Sequence, residues 1–217
     1  MQIQELILLT NDLVATKKFY EHTLGFKKIT ETETGISLAV GTSKLSFELV
    51  SQNQSPKYHF AFNIPSNKSQ DALDWALQRT NLIETGGSFV ADFDFWNAKA
   101  IYFFDNNLNI LEFISRSDLN NPSNQPFSVE SIVNINEIGL VTDQPLQLAR
   151  EIVERTHTDY FEKGPKSEDF VALGNDNGLF VISNPNRKWY PTQEFAEKWP
   201  VKCKITVAKT NYELAFH

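Results

Sequence analysis

The sequence predicts a mixed α+β fold built from repeated strand–helix–strand–strand–strand units. Two successive blocks in the first half of the chain share this element order. A polar stretch follows them, and a third, shorter block begins after it. A repeat with a period of roughly 50 to 60 residues has to be recognised before a fold is assigned, because it decides how the sheets are built.

The first unit spans residues 1–50. Its opening run Q-I-Q-E-L-I-L-L has strand character, and the polar side chains of Thr10-Asn11-Asp12 can cap a following helix. Gly25 is placed to end that helix. Three short strands follow, and all four strands are expected over residues 3–9, 26–30, 36–40 and 44–50.

The second unit repeats this order over residues 58–114. Pro65 opens its helix, and the pair Gly86-Gly87 separates the helix from the later strands. The D-N-N sequence at residues 105–107 predicts the final hairpin turn. Strands are expected over residues 58–64, 88–93, 100–104 and 109–114.

The second half of the chain has the pattern of a shortened copy. Residues 117–127 are rich in Ser, Asn, Asp and Pro, which is typical of a linker. The later run N-I-N-E-I-G-L-V-T-D echoes the opening Q-I-Q-E-L-I-L-L-T-N. We therefore predict a complete paired domain at 1–116, a linker at 117–127 and a degenerate, truncated domain at 128–217. Its helix is expected over 146–155 and its strands over 169–174, 179–183, 201–208 and 212–216.

Composition limits the class of protein. The 217 residues carry a net charge of −7 and give a pI near 5.1, which argues against nucleic acid or an anionic membrane as the main partner. No apolar run approaches the roughly 18 residues of a membrane span, and the N-terminus lacks the basic region of a signal peptide. The single cysteine, Cys203, excludes an internal disulfide and is expected to be a buried strand residue. A cytoplasmic location is the expectation.

Four ionisable residues stand inside apolar strand-like runs. They are Glu5 and Glu48 in the first unit and His59 and Glu112 in the second. A charge in such a run costs several kcal/mol unless it is paired or bound to a metal. Their matching order in both units suggests a site. Taken singly, Glu5 and Glu48 fit solvated strand residues, and His59 fits a strand histidine with a backbone partner.

Several stretches resemble the vicinal-oxygen-chelate superfamily, which includes glyoxalase I, extradiol dioxygenases and bleomycin-resistance proteins. They are N-D-L-V-A-T-K-K-F-Y-E-H-T-L-G-F, H-F-A-F-N-I and A-I-Y-F-F-D-N-N-L-N-I-L-E-F. Such units usually end in a D-P-D-G-N turn followed by a ligand glutamate. This chain has D-N-N-L-N and then Glu112. The resemblance implies two units that curl into a half-barrel around one metal.

Carried over position by position, the resemblance gives Glu5, Glu48, His59 and Glu112 as ligands. The glyoxalase-type pattern has histidine at the first position, so Glu5 is a departure. Oxygen-rich ligation with one imidazole suits Mn, Ni, Co, Fe or Zn. The implied activity is that of an isomerase or lyase that stabilises an enediolate of a small oxygenated substrate, with Glu48 or Glu112 moving the proton.

Three aromatic residues, Phe95, Trp96 and Tyr102, lie near the hairpin that would roof this pocket. They are candidates for substrate binding or for simple packing. The segment Trp189–Thr192 is distinctive in composition, but no chemistry is assigned to it.

Two other functions remain open from the sequence. One is a metal-free protein of the bleomycin-resistance type that binds a small molecule. The other is a structural role, in which the second half fills the place of a partner subunit, so the chain is a monomer or a homodimer. The second half is expected to hold no catalytic metal. Glu137 takes the place of Glu5 there, but residues 179–183 contain no acid to match Glu48.

Overall fold

The computed structural model describes all 217 residues and contains three α-helices and fourteen strands, besides short π and 3₁₀ turns. Helix α1 (Leu13–Lys17) begins at Asp12, whose side chain accepts a hydrogen bond from the Ala15 amide, and continues as a π-helical turn over Lys18–Thr23. Helix α2 is Ser69–Leu77 and helix α3 is Pro145–Thr156. The helices therefore follow the first strand of each of three successive units.

The strands confirm the predicted α+β class and its repeated order. Most of their bounds differ from the predicted ones by one to three residues; the short strand β6 was not expected. In chain order they are β1 Gln2–Thr10, β2 Lys27–Thr32, β3 Gly35–Val40, β4 Ser43–Leu49, β5 His59–Ile64, β6 Leu82–Ile83, β7 Ala91–Phe93, β8 Ala98–Phe104, β9 Ile110–Arg116, β10 Asn134–Val141, β11 Phe170–Asn175, β12 Gly178–Ser183, β13 Val201–Val207 and β14 Thr210–Phe216.

The two halves of the chain are joined in two curved sheets. The six-stranded sheet has the order β14-β13-β1-β4-β3-β2, and the eight-stranded sheet has the order β11-β12-β10-β5-β9-β8-β6, with β7 also paired to β8. The first unit therefore pairs with the C-terminal hairpin, and the second unit pairs with the third. The predicted pairing of units in a curved sheet is confirmed, and in the eight-stranded sheet the second unit pairs with the third.

Both junctions are antiparallel. Strand β10 runs along β5, where Ile138 stands opposite Phe60, and β13 runs along β1, where Cys203 stands opposite Leu6. No sheet is made of residues 1–116 alone, so those boundaries describe a repeat in sequence. Their use as domain boundaries stays a prediction, as does the choice between monomer and homodimer. Cys203 is a buried strand residue, as expected.

One apolar core lies between the two sheets and includes residues of the helices. Leu6 and Phe47 of the six-stranded sheet and Phe62 and Phe113 of the eight-stranded sheet belong to it, together with Ala149 of α3. A second apolar cluster, which includes Ala61, lies on the other face of the eight-stranded sheet. That face is the one that carries the site described next. None of the helices has the length and apolarity needed to cross a membrane.

Candidate metal centre

Three buried ionisable side chains meet on the three central strands of the eight-stranded sheet. They are His59 on β5, Glu112 on β9 and Glu137 on β10, and their ligand atoms all lie within 4.8 Å of one another. Strand pairing brings the two acids together, because Ala61 of β5 is opposite Glu112 of β9 on one side and Glu137 of β10 on the other. His59 precedes Ala61 by two residues and therefore points to the same face. These three residues form the cluster.

The histidine has the hydrogen bonding of a metal ligand. Its Nδ1 lies 3.1 Å from the carbonyl oxygen of Ile110, and its Nε2 lies 3.7 Å from Oε2 of Glu112. A carbonyl only accepts, so Nδ1 carries the proton and the Nε2 lone pair faces the carboxylates. Burial lowers the pKa of His59 to about 4 against the opposing hydrogen bond to Ile110, and the charge of Arg187 lowers it further. The imidazole is therefore neutral near pH 7.

Glu112 is the acid of the cluster that most readily keeps a proton. Burial raises its pKa well above the ordinary value, and the negative charge of Glu137 raises it further, while Tyr102 and Arg116 oppose the shift. Tyr102 stands directly opposite Glu112 across β8 and β9. Burial, followed by the charges of Glu112 and Glu137, raises the pKa of that phenol as well. Glu112 and Tyr102 are thus two neutral acids that face one cavity.

Glu137 has a cationic partner within the protein. The guanidinium of Arg116, which is fully buried, donates to Oε1 of Glu137, to Oδ1 of Asn136 at 3.0 Å and to Oδ1 of Asp176 at 3.4 Å. Burial raises the pKa of Glu137, and the charge of Arg116 opposes this shift. Because the ion pair favours its charged form, Glu137 is the carboxylate that stays ionised while Glu112 is protonated.

The donor set fits a divalent cation after a small contraction. Ligand atoms bound to one ion at about 2.1 Å lie no more than about 4.2 Å apart, so separations of up to 4.8 Å must shrink by several tenths of an ångström. One imidazole and two carboxylates suit Mn, Fe, Co, Ni or Zn. Three protein ligands would leave positions for water or substrate, as catalytic sites require.

The place of a fourth ligand is taken by a valine. In the second unit, Glu112 stands opposite Ala61, which follows His59 by two residues. In the third unit, Val181 stands opposite Gly139, which follows Glu137 by two residues. Val181 is buried and is therefore the counterpart of Glu112. Strand β12 contains no acid, and an apolar group lies at that corner of the site.

Glu5 and Glu48 lie in the other sheet, away from the cluster. Glu5 contacts Nζ of Lys44 at 2.5 Å and Nζ of Lys204 at 3.5 Å. Glu48 contacts Nζ of Lys202 at 2.8 Å, and its side chain is 46% exposed. The structure does not bring these two acids to His59 and Glu112. The reason is that β1 pairs with β13, which supplies lysines, whereas β5 pairs with β10, which supplies Glu137.

The cluster forms part of the wall of a cavity of about 250 Å³ whose walls are largely aromatic. Trp96 and Tyr102 line it, but Phe95 is 92% exposed and does not. Residues 94–96 form one 3₁₀ turn, in which successive side chains point about 120° apart, so Trp96 faces inward and Phe95 faces solvent. The lining consists of His59, Phe93, Trp96, Tyr102, Glu112, Ile114, Glu137, Pro165, Phe170, Val181, Arg187, Trp189 and Tyr190.

The segment between β12 and β13 covers one side of this cavity. The Trp189 ring lies 5.0 Å from the imidazole of His59, and Tyr190 lies 5.7 Å from Tyr102, centroid to centroid. Gly139 makes room for the indole, since a Cβ atom there would lie 2.8 Å from two of its carbons. Part of the cavity wall thus comes from the Trp189–Thr192 segment. No chemistry was predicted for this segment from the sequence.

Two residues of the site could have been found by a different use of the sequence. The echo of Q-I-Q-E in N-I-N-E already placed Glu137 at a ligand position. What was missing was the partner of the second unit, because strand pairing between distant blocks leaves no local signal. Arg116 gave a weaker signal, as a charged residue at the end of an apolar strand. That the second half holds no catalytic metal stays a prediction, and Glu137 of this half is one of the three members of the cluster.

The sequence matches one family model over residues 2–113, just over half of the chain, and that model describes the Glyoxalase/Bleomycin resistance protein/Dioxygenase superfamily. The chain belongs to this superfamily. The resemblance inferred from its motifs is thereby confirmed. No curated protein matches the sequence.

Several solved structures are similar to this chain at low sequence identity. A candidate dioxygenase from Bacillus subtilis subsp. subtilis strain 168 is 13% identical with a TM-score of 0.58, and the alignment covers 84% of this chain and 63% of that one. The chain therefore spans less than two thirds of that relative. Lactoylglutathione lyase from Agrobacterium tumefaciens is 16% identical with a TM-score of 0.42, covering 51% and 90%. A superfamily member from Alicyclobacillus acidocaldarius is 20% identical with a TM-score of 0.42, covering 52% and 89%.

Proposed function

We propose that the protein is a glyoxalase-like, metal-dependent enzyme of the isomerase or lyase type that acts on a small oxygenated molecule. The observation that carries this proposal is the cluster itself. A neutral imidazole with a free Nε2 and two buried carboxylates converge within 4.8 Å in the wall of an aromatic cavity. The ligand set is His59, Glu112 and Glu137, which retains two of the residues expected from the sequence.

Each residue has a role that follows from its surroundings. A divalent cation, when bound, would polarise a carbonyl or two adjacent oxygens of the substrate. Glu112 lies in the cavity wall, and a bound cation would favour its ionised form, so it would take a proton from the carbon beside that carbonyl and return it to a neighbouring atom. Trp96, Tyr102 and Trp189 would hold the apolar part of the substrate and keep water away from the transfer.

Metal uptake tests this proposal directly. Metal-free protein is incubated with Zn, Mn, Co or Ni, and bound metal is measured by elemental analysis while unfolding is followed by calorimetry. We expect one equivalent of metal per chain and a rise in the melting temperature, because a ligand that binds only the folded state stabilises it. Substituting Glu112→Gln or Glu137→Gln should abolish both effects.

Matched substitutions separate this cluster from the set that the sequence suggested. Glu5→Gln and Glu48→Gln remove the same charge from the same kind of strand, so they should leave metal uptake unchanged. If these two variants lose metal while Glu137→Gln keeps it, the proposed ligand set is wrong. If no variant and no wild-type protein takes up metal, the enzyme proposal itself fails.

A second function has an observation of its own in its favour. Arg116 already pairs with Glu137, and a protonated Glu112 leaves the cluster with no unbalanced charge, so the cavity is satisfied without a cation. Such a cavity suits a metal-free protein of the bleomycin-resistance type, which would bind a small apolar molecule. Unchanged melting temperatures with every divalent cation, together with saturable binding of small aromatic compounds, would favour this function.

A further inference from the structure

One cation in the cavity wall has no acceptor within the protein. Arg187 lines the cavity and is about half buried, yet its guanidinium makes no hydrogen bond and no ion pair with any residue of the chain. The charge of Asp169 acts on it, but the two side chains form no ion pair, and Oδ1 of Asp169 accepts from the Ser167 hydroxyl at 2.5 Å. A guanidinium has five N–H donors, and partial burial limits how many of them water can reach. This one therefore presents unused donors beside the cavity.

The position of Arg187 is fixed by its backbone and by one aromatic ring. Its amide donates to the Asn184 carbonyl at 3.0 Å, and its own carbonyl accepts from the Ala196 amide at 2.9 Å. The guanidinium carbon lies 4.0 Å from the centroid of the Phe170 ring, which also lines the cavity. Stacking of this kind occupies the face of the guanidinium and leaves its N–H edge free for an acceptor.

No charged group of the cavity wall pairs with this cation. The acids of the wall are Glu112 and Glu137, and neither forms a hydrogen bond or an ion pair with Arg187. Glu137 is paired with Arg116 instead, and Glu112 lies beside His59. A ligand in the cavity therefore meets a guanidinium whose N–H donors are free.

We propose that the molecule bound in this cavity carries a carboxylate and that Arg187 binds it, while the apolar part lies among the aromatic rings. A carboxylate matches the planar fork of a guanidinium with two parallel hydrogen bonds. The cavity of about 250 Å³ admits one small acid of this kind. This inference rests on the proposed use of the cavity as the binding site, but it does not depend on whether a metal is bound there.

Matched acids and amides test the charge preference. Phenylacetate, 3-phenylpropionate and the two corresponding amides are titrated into chelator-treated protein, and binding is followed by calorimetry and by quenching of tryptophan fluorescence. Trp96 and Trp189 line the cavity and report on its occupancy. We expect the acids to bind about tenfold to a hundredfold more tightly than their amides, the range expected for a hydrogen-bonded charge pair.

Variants of Arg187 assign the preference to this side chain. In Arg187→Met and Arg187→Gln, acid and amide should bind equally, with the amide affinity unchanged. Arg79→Met is the matched control, because Arg79 also stacks on an aromatic ring, Trp75 at 4.2 Å, but does not line the cavity. Circular dichroism and melting temperature establish that each variant is folded.

The outcomes separate this inference from the proposed enzyme. Equal affinity for acids and amides in the wild-type protein overturns the inference, and so does a preference that survives both Arg187 substitutions. Failure of all four compounds to bind overturns it as well. None of these results depends on metal uptake. A protein that takes up metal but binds acids and amides equally refutes this inference alone, whereas one that prefers acids but takes up no metal refutes the enzyme alone.

Discussion

The two sheets of this protein carry acids at equivalent places in equivalent units, and their surroundings differ. In the six-stranded sheet, Glu5 and Glu48 lie beside lysines whose side chains are 39–48% exposed. In the eight-stranded sheet, His59 and Glu112 are joined by Glu137, and all three are buried. The acids of the two sheets therefore share their position within the repeat. Only the eight-stranded sheet brings together the several buried ligands that a metal requires.

The strand that joins each unit across the sheet accounts for this difference. Strand β13 brings Lys202 to the exposed Glu48 and Lys204 to Glu5, which is 8% exposed and also pairs with Lys44 of β4. Strand β10 brings Glu137 to the second unit, and the segments around Trp96 and Trp189 cover the site. A repeat supplies the framework twice, and the partner strand decides which copy becomes a site.

The largest effect should come from breaking the ion pair in the buried site. Arg116→Met leaves Glu137 without its cation in a buried position, and removal of one partner of a buried pair costs about 3 to 5 kcal/mol. Lys204→Met removes a cation from Glu5 in the other sheet and should leave stability unchanged within error, because that lysine is solvated. Denaturant unfolding at pH 7 measures both. Equal losses in the two variants would contradict the contrast between the sheets.

Acid should destabilise the buried site through His59. The pKa of this histidine falls from 6.5 to about 4 on folding, so the unfolded chain binds the proton more strongly. Stability is then fully present above pH 6.5 and is lost as the pH falls toward 4, by about 3 kcal/mol over roughly 2.5 pH units. His59→Gln should remove this part of the acid sensitivity. His22→Gln, an exposed histidine on the first helix, should retain it.

The pH dependence of Glu112 has the opposite sign. Its pKa is raised in the folded protein, so its contribution is present below the ordinary value of 4.5 and is lost as the pH rises through the folded pKa. In metal-free protein, Glu112→Gln should therefore flatten the loss of stability on the alkaline side. Glu48→Gln, which changes the equivalent acid of the other sheet, should leave the profile as in the wild type. Denaturant unfolding from pH 5 to 9 compares the two variants with the wild type. Coincident stability curves for all three proteins would refute the prediction.

The sequence predicted the elements well and the site only in part. Alternating apolar residues and turn residues are local signals, and they located most strands and the capped start of α1 by Asp12. His59 and Glu112 were found because a charge inside an apolar run is itself a local anomaly. Glu137 showed the same anomaly, yet its place beside them depends on the pairing of β5 with β10. That pairing joins blocks about 75 residues apart, and nothing in either block encodes it alone.

The sequence does not predict the orientation of side chains in irregular segments either. Phe95 and Trp96 are neighbours of similar character, and only the 3₁₀ turn decides that one faces solvent and the other the cavity. Trp189 gained its role from Gly139, on a distant strand, which leaves space for the indole beside His59. Such contacts between distant segments have no periodic pattern by which they could be recognised.

The smallest predicted effect concerns this last contact. In Gly139→Ala, the new Cβ atom would lie 2.8 Å from two carbons of the Trp189 ring, so the indole must move away from His59. Overpacking of this kind costs about 1 to 3 kcal/mol, and a ring at the wall of an open cavity can yield, so we expect a loss near 1 kcal/mol. The emission of Trp189 should shift to longer wavelength as the ring gains contact with water.

A double substitution identifies the cause of that loss. Trp189→Phe removes the ring atoms that the new Cβ would meet, so adding Gly139→Ala to this background should cost almost nothing more. The two changes would then be strongly non-additive, as expected for residues in direct contact. Additive losses would mean that Gly139 serves its strand for another reason, for example the His59 carbonyl oxygen, which a Cβ would meet at 3.2 Å. The six-stranded sheet has no equivalent of this contact, because Ile7 stands two residues after Glu5, where Gly139 stands two residues after Glu137. The acids of that sheet pair with lysines of β4 and β13.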